Sequence, residues 1–427
     1  SYDLIKKELE TNCFLTLSPS TVHLFNNSKN EYVQYNYTNA RHILANKCYM
    51  KNGKKTSIFD EWIRDETRRQ YDMTNFLPYT ILDDDSKDKN IFNTFVPFDR
   101  NILDNTVKEL EETNFIKNYL FPLINDLNGY DKNSISYFLK LWAFFFQKPK
   151  QISEVCWVCQ SREGCGKDTY IRILSSIMNG EKYIAQTSNL DDVFGDFNKI
   201  ASQKLLVQLN EVDTKQALAQ HNRIKGVITS NTINVKLKGI DVFQENHYSQ
   251  YVMFTNNSNN ITVSDSARRW FITLAVGLLK NKFEFWKKLH DLLKDKLVLD
   301  QLYTYFMKLD ISDFIPGVVP KTKIFDQQQL SQLHPVLKYL WSNCKRQWQD
   351  SGFDILTKKD IKYFIIKPQD FNVSFNMFCN ENNIKACSSV KYNTLLDNLD
   401  CCKRIDIRMN VGVRKHIRIE CSKIEKE

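Results

Sequence analysis

Glycine is scarce in this chain, with 12 residues in 427, under half of the roughly 7% that is usual. Internal repeats and long low-complexity runs are missing too, which excludes repeat arrays and disordered linker-rich architectures. Long hydrophobic runs are also absent. The longest, Leu139-Lys140-Leu141-Trp142-Ala143-Phe144-Phe145-Phe146, is closed by Pro149 and falls well short of the roughly 18 residues that span a bilayer. No membrane partner is expected. No secretory signal opens the chain. The eleven cysteines (13, 48, 156, 159, 165, 344, 379, 387, 401, 402 and 421) are scattered, unlike the frames of small secreted domains, so reduced thiols in an intracellular compartment are expected. A second C-x-x-C and any H-x₃₋₅-H are lacking, so Cys156 and Cys159 have no companions for a zinc site. They read as small core hydrophobes in a buried strand. The first residue is Ser1 rather than Met, so the chain reads as an excised piece of a longer protein.

What is present can build two or three domains: 42% hydrophobic and 13% aromatic residues against 26% charged. The net charge is +9, and residues 331–427 hold 17 Lys/Arg against 11 Asp/Glu. That imbalance points to a polyanionic partner.

The pattern divides the chain into an N-terminal accessory region (1–100), a helical collar-like segment (101–150), an α/β core (151–280), a helical segment and linker (281–325) and a small basic unit (326–427). One helix is predicted over 107–120, and a second with Tyr137, Phe138, Leu141, Trp142 and Phe145 on its face. In the core, short apolar runs alternate with helical or polar stretches, as α/β folds require. After the linker Ile315–Pro320, the alternation from Arg404 to Ile419 across Asn410-Val411-Gly412 predicts a hairpin.

Two of the few glycines fall at 164 and 166, immediately before Lys167, between an apolar strand and a helical pattern. Gly164-Cys165-Gly166-Lys167-Asp168-Thr169 therefore reads as a phosphate-binding loop. Backbone N–H groups and the helix start hold phosphate oxygens, and Lys167 reaches the β/γ-phosphates. The full pattern G-x-x-x-x-G-K-[ST] would put Gly at Ser161 and Ser/Thr at Asp168, so the magnesium ligand stays open between Asp168 and Thr169. Downstream, Leu205–Glu211 is an apolar strand ending in Asn210 and Glu211, a carboxylate that can organise magnesium and the attacking water. Gln250–Asn257 is a strand ending in the Asn256-Asn257 pair, where an amide can orient water. Arg268 and Arg269 precede another strand, and an arginine delivered to a neighbour's γ-phosphate stabilises transition-state charge.

In this order the motifs resemble those of superfamily 3 helicases, the AAA+ ATPases of viruses, phages and plasmids. They look closest to the helicase modules of primase–helicase replication proteins. The resemblance spans about 60–280, including Phe59-Asp60-Glu61-Trp62, Arg68-Arg69, Asn93 and Trp142–Pro149. It implies an AAA+ P-loop core with ATP and Mg2+ as cofactors. By motif, Lys167 and Thr169 serve Walker A, and Asn210 and Glu211 serve Walker B. Asn256 is sensor 1, Arg268 or Arg269 the arginine finger, and Glu211 the base. Asn210 stands where many such ATPases have Asp, which leaves its part in metal binding open. The family also implies a ring, most often a hexamer, a single-stranded or forked DNA partner, a primase or polymerase domain upstream, and work at a viral or phage replication site.

The same family places a DNA-contacting hairpin between Walker B and sensor 1. Lys236 and Lys238 alternate with apolar residues there, and His247 and Tyr248 offer rings for stacking. The basic tail reads as winged-helix-like, with Arg408, Arg414 and Lys415 set to meet phosphates. Two other readings stay open: a metabolic P-loop NTPase or kinase, and a DNA-binding replication scaffold with a weak ATPase.

Overall fold

A computed structural model describes residues 2–28, 31–80, 82, 90–195, 199–211, 222–237, 240–255, 269–320, 322, 334–345, 354–358, 361–399, 401–409 and 412–420. The fold is mixed α/β. It divides into one unit of residues 1–261 with 267–322, and a second of 262–266 with 323–427.

The first unit opens with helix Tyr2–Thr11 and a four-stranded sheet of Glu31–Tyr35, Thr21–Asn26, Cys13–Thr16 and Gln70–Tyr71, in that order. Side chains alternate between faces along a strand. Cys13, Leu15, Val22 and Leu24 pack with Leu9, Ala40, Ile58, Phe59 and Trp62. Phe14 instead stacks on His23, with ring centroids 4.6 Å apart, and meets Tyr32, Tyr71 and Phe92. The Arg69 guanidinium lies 5.5–5.8 Å from the Phe14, Tyr71 and Phe92 ring centres.

The larger core is a five-stranded sheet in the order Ile184–Thr187, Leu206–Asn210, Gln250–Thr255, Cys156–Gln160, Trp270–Leu274. Every pair in it is parallel. Strands covered on both faces read as unbroken apolar runs, as Cys156-Trp157-Val158-Cys159 does. Helix Lys132–Gln147 packs with it: Phe138 meets Trp157 and Tyr170 at 4.8 and 4.9 Å. Ala143, Phe144 and Phe146 are buried beside the predicted face; Phe314 covers Phe144 and Phe306 covers Phe146 from other directions.

The single helix expected over 107–120 is instead Val107–Glu111, a π-helical turn Ile116–Leu120, and Phe121–Leu127. Thr113 Oγ1 donates to the Leu110 carbonyl and ends the first piece. Pro122 has no N–H for the carbonyl four residues back, and Phe121 N donates to Ile116 O, the wider π spacing. The segment read as a linker is anchored at its middle, where Gly317 N donates to Ser153 O, and beyond its end Thr322 Oγ1 donates to Ile272 O.

The second unit has helices Pro335–Lys345, Pro368–Glu381 and Ser389–Asn398. The predicted hairpin is strands Cys402–Met409 and Gly412–Glu420. It belongs to a four-stranded antiparallel sheet with Asp354–Lys358 and Ile361–Ile366, which were not predicted. Its core holds Tyr339, Phe371, Phe375, Tyr392 and Ile417.

Burial lowers His23 from 6.5 to about 4. The unfolded chain therefore binds a proton that the folded sheet refuses between those values. Stability of the N-terminal sheet should fall as pH drops from 6.5 to 4, by up to about 1.4 kcal/mol per pH unit. Hydrogen exchange of residues 13–26 across this range checks it, and His23→Gln should flatten the slope.

Candidate functional site

The loop after strand 156–160 is shaped by two left-handed glycines, Gly164 at φ +80° and Gly166 at φ +89°. A side chain at Gly166 would be strained by that φ. It would also place Cβ 2.5 Å from Trp286 Cη2 and 2.7 Å from Leu123 Cδ1. Helix Lys167–Ile177 starts directly behind Gly166, so its first N–H groups are left for a ligand in the loop. Lys167 is buried, with Nζ 5.7 Å from the Phe254 ring centre. Cys156 and Cys159 are wholly buried in the strand, and burial pushes the Cys159 thiol up to about 12. Neither has the low pKa of a redox thiol.

Parallel register brings the ends of three strands together. Gln160 pairs with Thr255, and Phe254 with Asn210. Glu211 follows at φ +47°, exposed, with its N–H donated to the Phe254 carbonyl at 3.0 Å. Glu211 thus follows a strand that is separated from the loop strand by strand 250–255. Buried Gln208 links the two motifs: its Nε2 donates to Asp168 Oδ1 at 2.9 Å and to Asn210 Oδ1 at 2.7 Å. Asp168 is exposed, and Thr169 and Asn210 are half-buried. Among the described residues no group of three or more His, Cys, Asp or Glu side chains can hold a metal ion. A divalent cation here would draw its remaining oxygens from phosphate and water.

Asn256, Arg268 and Lys238 lie outside the described residues. Arg269 accepts from Cys156 N at 2.8 Å through its carbonyl, which puts it at the start of strand 156–160. The loop begins at the other end, about 13 Å away along the strand, so the fold does not bring Arg269 to Lys167 of the same chain. Lys236 is in strand Thr232–Leu237, paired antiparallel with Ile240–Asn246. His247 is no stacking ring: it is buried, hydrogen-bonded to Tyr251 OH and Ser230 O at 2.9 Å each, and burial lowers its pKa. Tyr248 packs toward Phe76. In the second unit the hairpin's backbone register pairs Arg408 with Val413, Arg414 with Ile407, and exposed Lys415 with Asp406.

Residues that the motifs did not reveal surround the loop. Asp126, wholly buried, accepts from Gly277 N at 3.1 Å and Leu278 N at 2.8 Å, while its carbonyl takes Val276 N. This carboxylate holds the turn after strand 270–274 against the loop. A Cβ at Gly277 would lie 3.2 Å from Cys165 Sγ, and the Lys280 chain runs 3.6 Å from the Cβ position of Gly164. Trp286 Nε1 donates to Leu279 O at 3.1 Å. Only the positive-φ Gly277 carried any local signal. The partners are distant in sequence.

Residues 159–269, from the loop strand to the edge of strand 270–274, match a family of unknown function (DUF5906). Over 183 residues the chain is 27% identical to the DNA primase-polymerase of Nitratiruptor phage NrS-1. That alignment covers 42% of this chain and 24% of that protein, so the chain spans about a quarter of its relative. Among solved structures it resembles the apo C-terminal region of NrS-1, with a TM-score of 0.64 at 15% identity over 95% of this chain and 96% of that one. A second structure of the same region gives 0.62 at 14% identity, with 95% of each chain covered. The chain shares that fold.

Cys165 is buried beneath Gly277 and its thiol is pushed up by burial. In the native protein Cys156, Cys159 and Cys165 should resist iodoacetamide while half-buried Cys48 and Cys387 react first, as peptide mass spectrometry would read. Gly166→Ala should displace Trp286, seen as a changed indole fluorescence and a lower melting temperature.

Proposed function

We propose that the chain is the motor part of a phage replication protein, an ATP-dependent DNA helicase with an AAA+ core. The observation that carries this reading is the placement of Lys167 at a helix start behind two left-handed glycines, with Glu211 at the end of a parallel strand that strand 250–255 separates from the loop strand. The sequence relationship to a phage DNA primase-polymerase supports the setting. It also supports a primase or polymerase domain as a partner in the same protein.

In this reading the loop amides and helix start hold the triphosphate, and Lys167 meets the β- and γ-phosphates. Glu211, exposed at a strand end, accepts a proton from the attacking water, and Asn256 orients that water. Asn210 and Glu211, with Asp168 or Thr169, offer oxygens for magnesium, which neutralises phosphate charge when bound with ATP. The oxygens that Gln208 ties together fit a hard divalent ion. Arg269 sits at the sheet edge far from its own Lys167, so Arg268 or Arg269 completes a neighbour's site, and the working form is a ring, a hexamer. Lys236, on its ribbon, and Lys238 after it in the sequence grip DNA phosphates without reading sequence. The winged-helix-like second unit adds Arg408, Arg414 and Lys415.

ATP hydrolysis should rise with single-stranded DNA and vanish in Lys167→Ala. Hydrolysis indifferent to DNA would instead mark a metabolic NTPase, and DNA binding without hydrolysis a scaffold. Glu211→Gln should keep ATP binding while hydrolysis falls by about 10²- to 10⁴-fold. Mixing Lys167→Ala with an Arg268→Ala/Arg269→Ala variant should restore part of the turnover, because intact shared sites form at mixed interfaces. No restoration at any ratio would remove the shared-site claim.

A further inference from the structure

Phosphate-loop NTPases commonly hold magnesium with a Ser or Thr hydroxyl after the loop Lys and an Asp on a neighbouring strand. One neutral oxygen sits on the helix and one carboxylate on the strand. Here both positions carry the opposite type. Asp168 follows Lys167 in the first helical turn, and Asn210 ends strand 206–210.

The two departures are physically coupled. A single amide nitrogen, Gln208 Nε2, donates to both Asp168 Oδ1 and Asn210 Oδ1, at 2.9 and 2.7 Å. Gln208 is 1% exposed, so its amide is held inside the sheet edge between the two oxygens. Its own Oε1 is buried without a hydrogen-bond partner, and so is Ser161 Oγ in the loop. Buried oxygens without a partner beside the loop call for an explanation, and a ligand held in the loop supplies one. Thr169 lies one residue further on, about 100° around the helix, and the bridge to the strand runs through Asp168.

We propose that the carboxylate of the magnesium site is transposed in this chain: Asp168 is the anionic ligand, Asn210 the neutral one, and Gln208 positions both. The inference rests on the nucleotide reading above and deepens it. Across these two positions the charge is one carboxylate in either arrangement, which suits an ion that takes one or two carboxylates and fills its sphere with phosphate and water. Glu211 remains the group that acts on water. The transposition has an electrostatic consequence. A carboxylate in the first helical turn is stabilised by the helix dipole, but it stands beside the triphosphate. Without metal it repels the nucleotide, and with metal it binds it.

Calorimetry of the full chain with the non-hydrolysable analogue AMP-PNP, in Mg2+ and in EDTA, tests this. In the unaltered protein Mg2+ should tighten binding by at least about tenfold, a typical effect of a ligand at a metal site. Asp168→Asn should lose that enhancement and, with the repulsion gone, bind the analogue in EDTA more tightly than the unaltered protein. A residue with only a packing role would not produce that crossing pattern. Asp168→Ser should lose the enhancement, and Asp168→Ser/Asn210→Asp should regain it, which also shows that the altered site still folds. Gln208→Leu should weaken the enhancement in the same direction, and the enhancement should survive Thr169→Val. Enhancement that persists in Asp168→Asn, or that Thr169→Val removes, overturns the transposition and leaves the nucleotide reading standing. No binding of the analogue to the unaltered protein in either buffer overturns the nucleotide reading, and the transposition with it.

Discussion

Gly166 must stay bare, because the space beside it is already taken by Trp286 and Leu123. Its left-handed backbone lets the chain turn from a buried strand into helix 167–177 within six residues. The same close packing sets the orientation of the helix start, and with it Lys167 and Asp168. Trp286 arrives from a helix more than a hundred residues later, steered by a turn that the buried Asp126 carboxylate holds. The loop is therefore shaped from inside by glycine and from outside by a clamp, and a change in either moves both.

The sheet does the remaining alignment. Its strands run parallel and are covered on both faces, so apolar residues fill their interiors and polar chemistry collects where they end. Asn210, Glu211 and Thr255 reach that edge together because the register leaves them no other place. Gln208 breaks the apolar rule in the middle of this arrangement. A buried amide there is tolerated because its nitrogen has two oxygen partners, and it makes the helix and strand ends one polar unit.

The second unit is built on different rules. Its antiparallel sheet and three helices close a separate core, and the basic hairpin is one half of that sheet. In the first unit, the N-terminal sheet has an aliphatic face against helices and an aromatic face around Arg69, with His23 kept neutral by its surroundings. The Arg69 charge there is shared between the rings and the Glu10 carbonyl, to which its Nη1 donates at 2.6 Å.

Local signals made much of this legible. The two glycines before Lys167 marked the loop, the apolar runs marked the core strands, and the alternation after Arg404 marked the hairpin, because each depends on neighbours within a few residues. Cys156 and Cys159 read as core thiols for the same reason. The break in the 107–120 helix is hidden from periodicity because Pro122 acts beyond the span that it averages, and strand Ile361–Ile366, on which Asp354–Lys358 pairs, is held by Gly412–Glu420, about fifty residues away. His247 looked like a stacking ring until Tyr251 and Ser230 enclosed it. By itself the sequence determined which residue types stand at the loop and strand ends. Only the tertiary structure decided that Gln208 joins Asp168 to Asn210, and that Trp286, Lys280 and Asp126 frame the loop. Those contacts come from register and packing between distant segments, on which no local pattern bears.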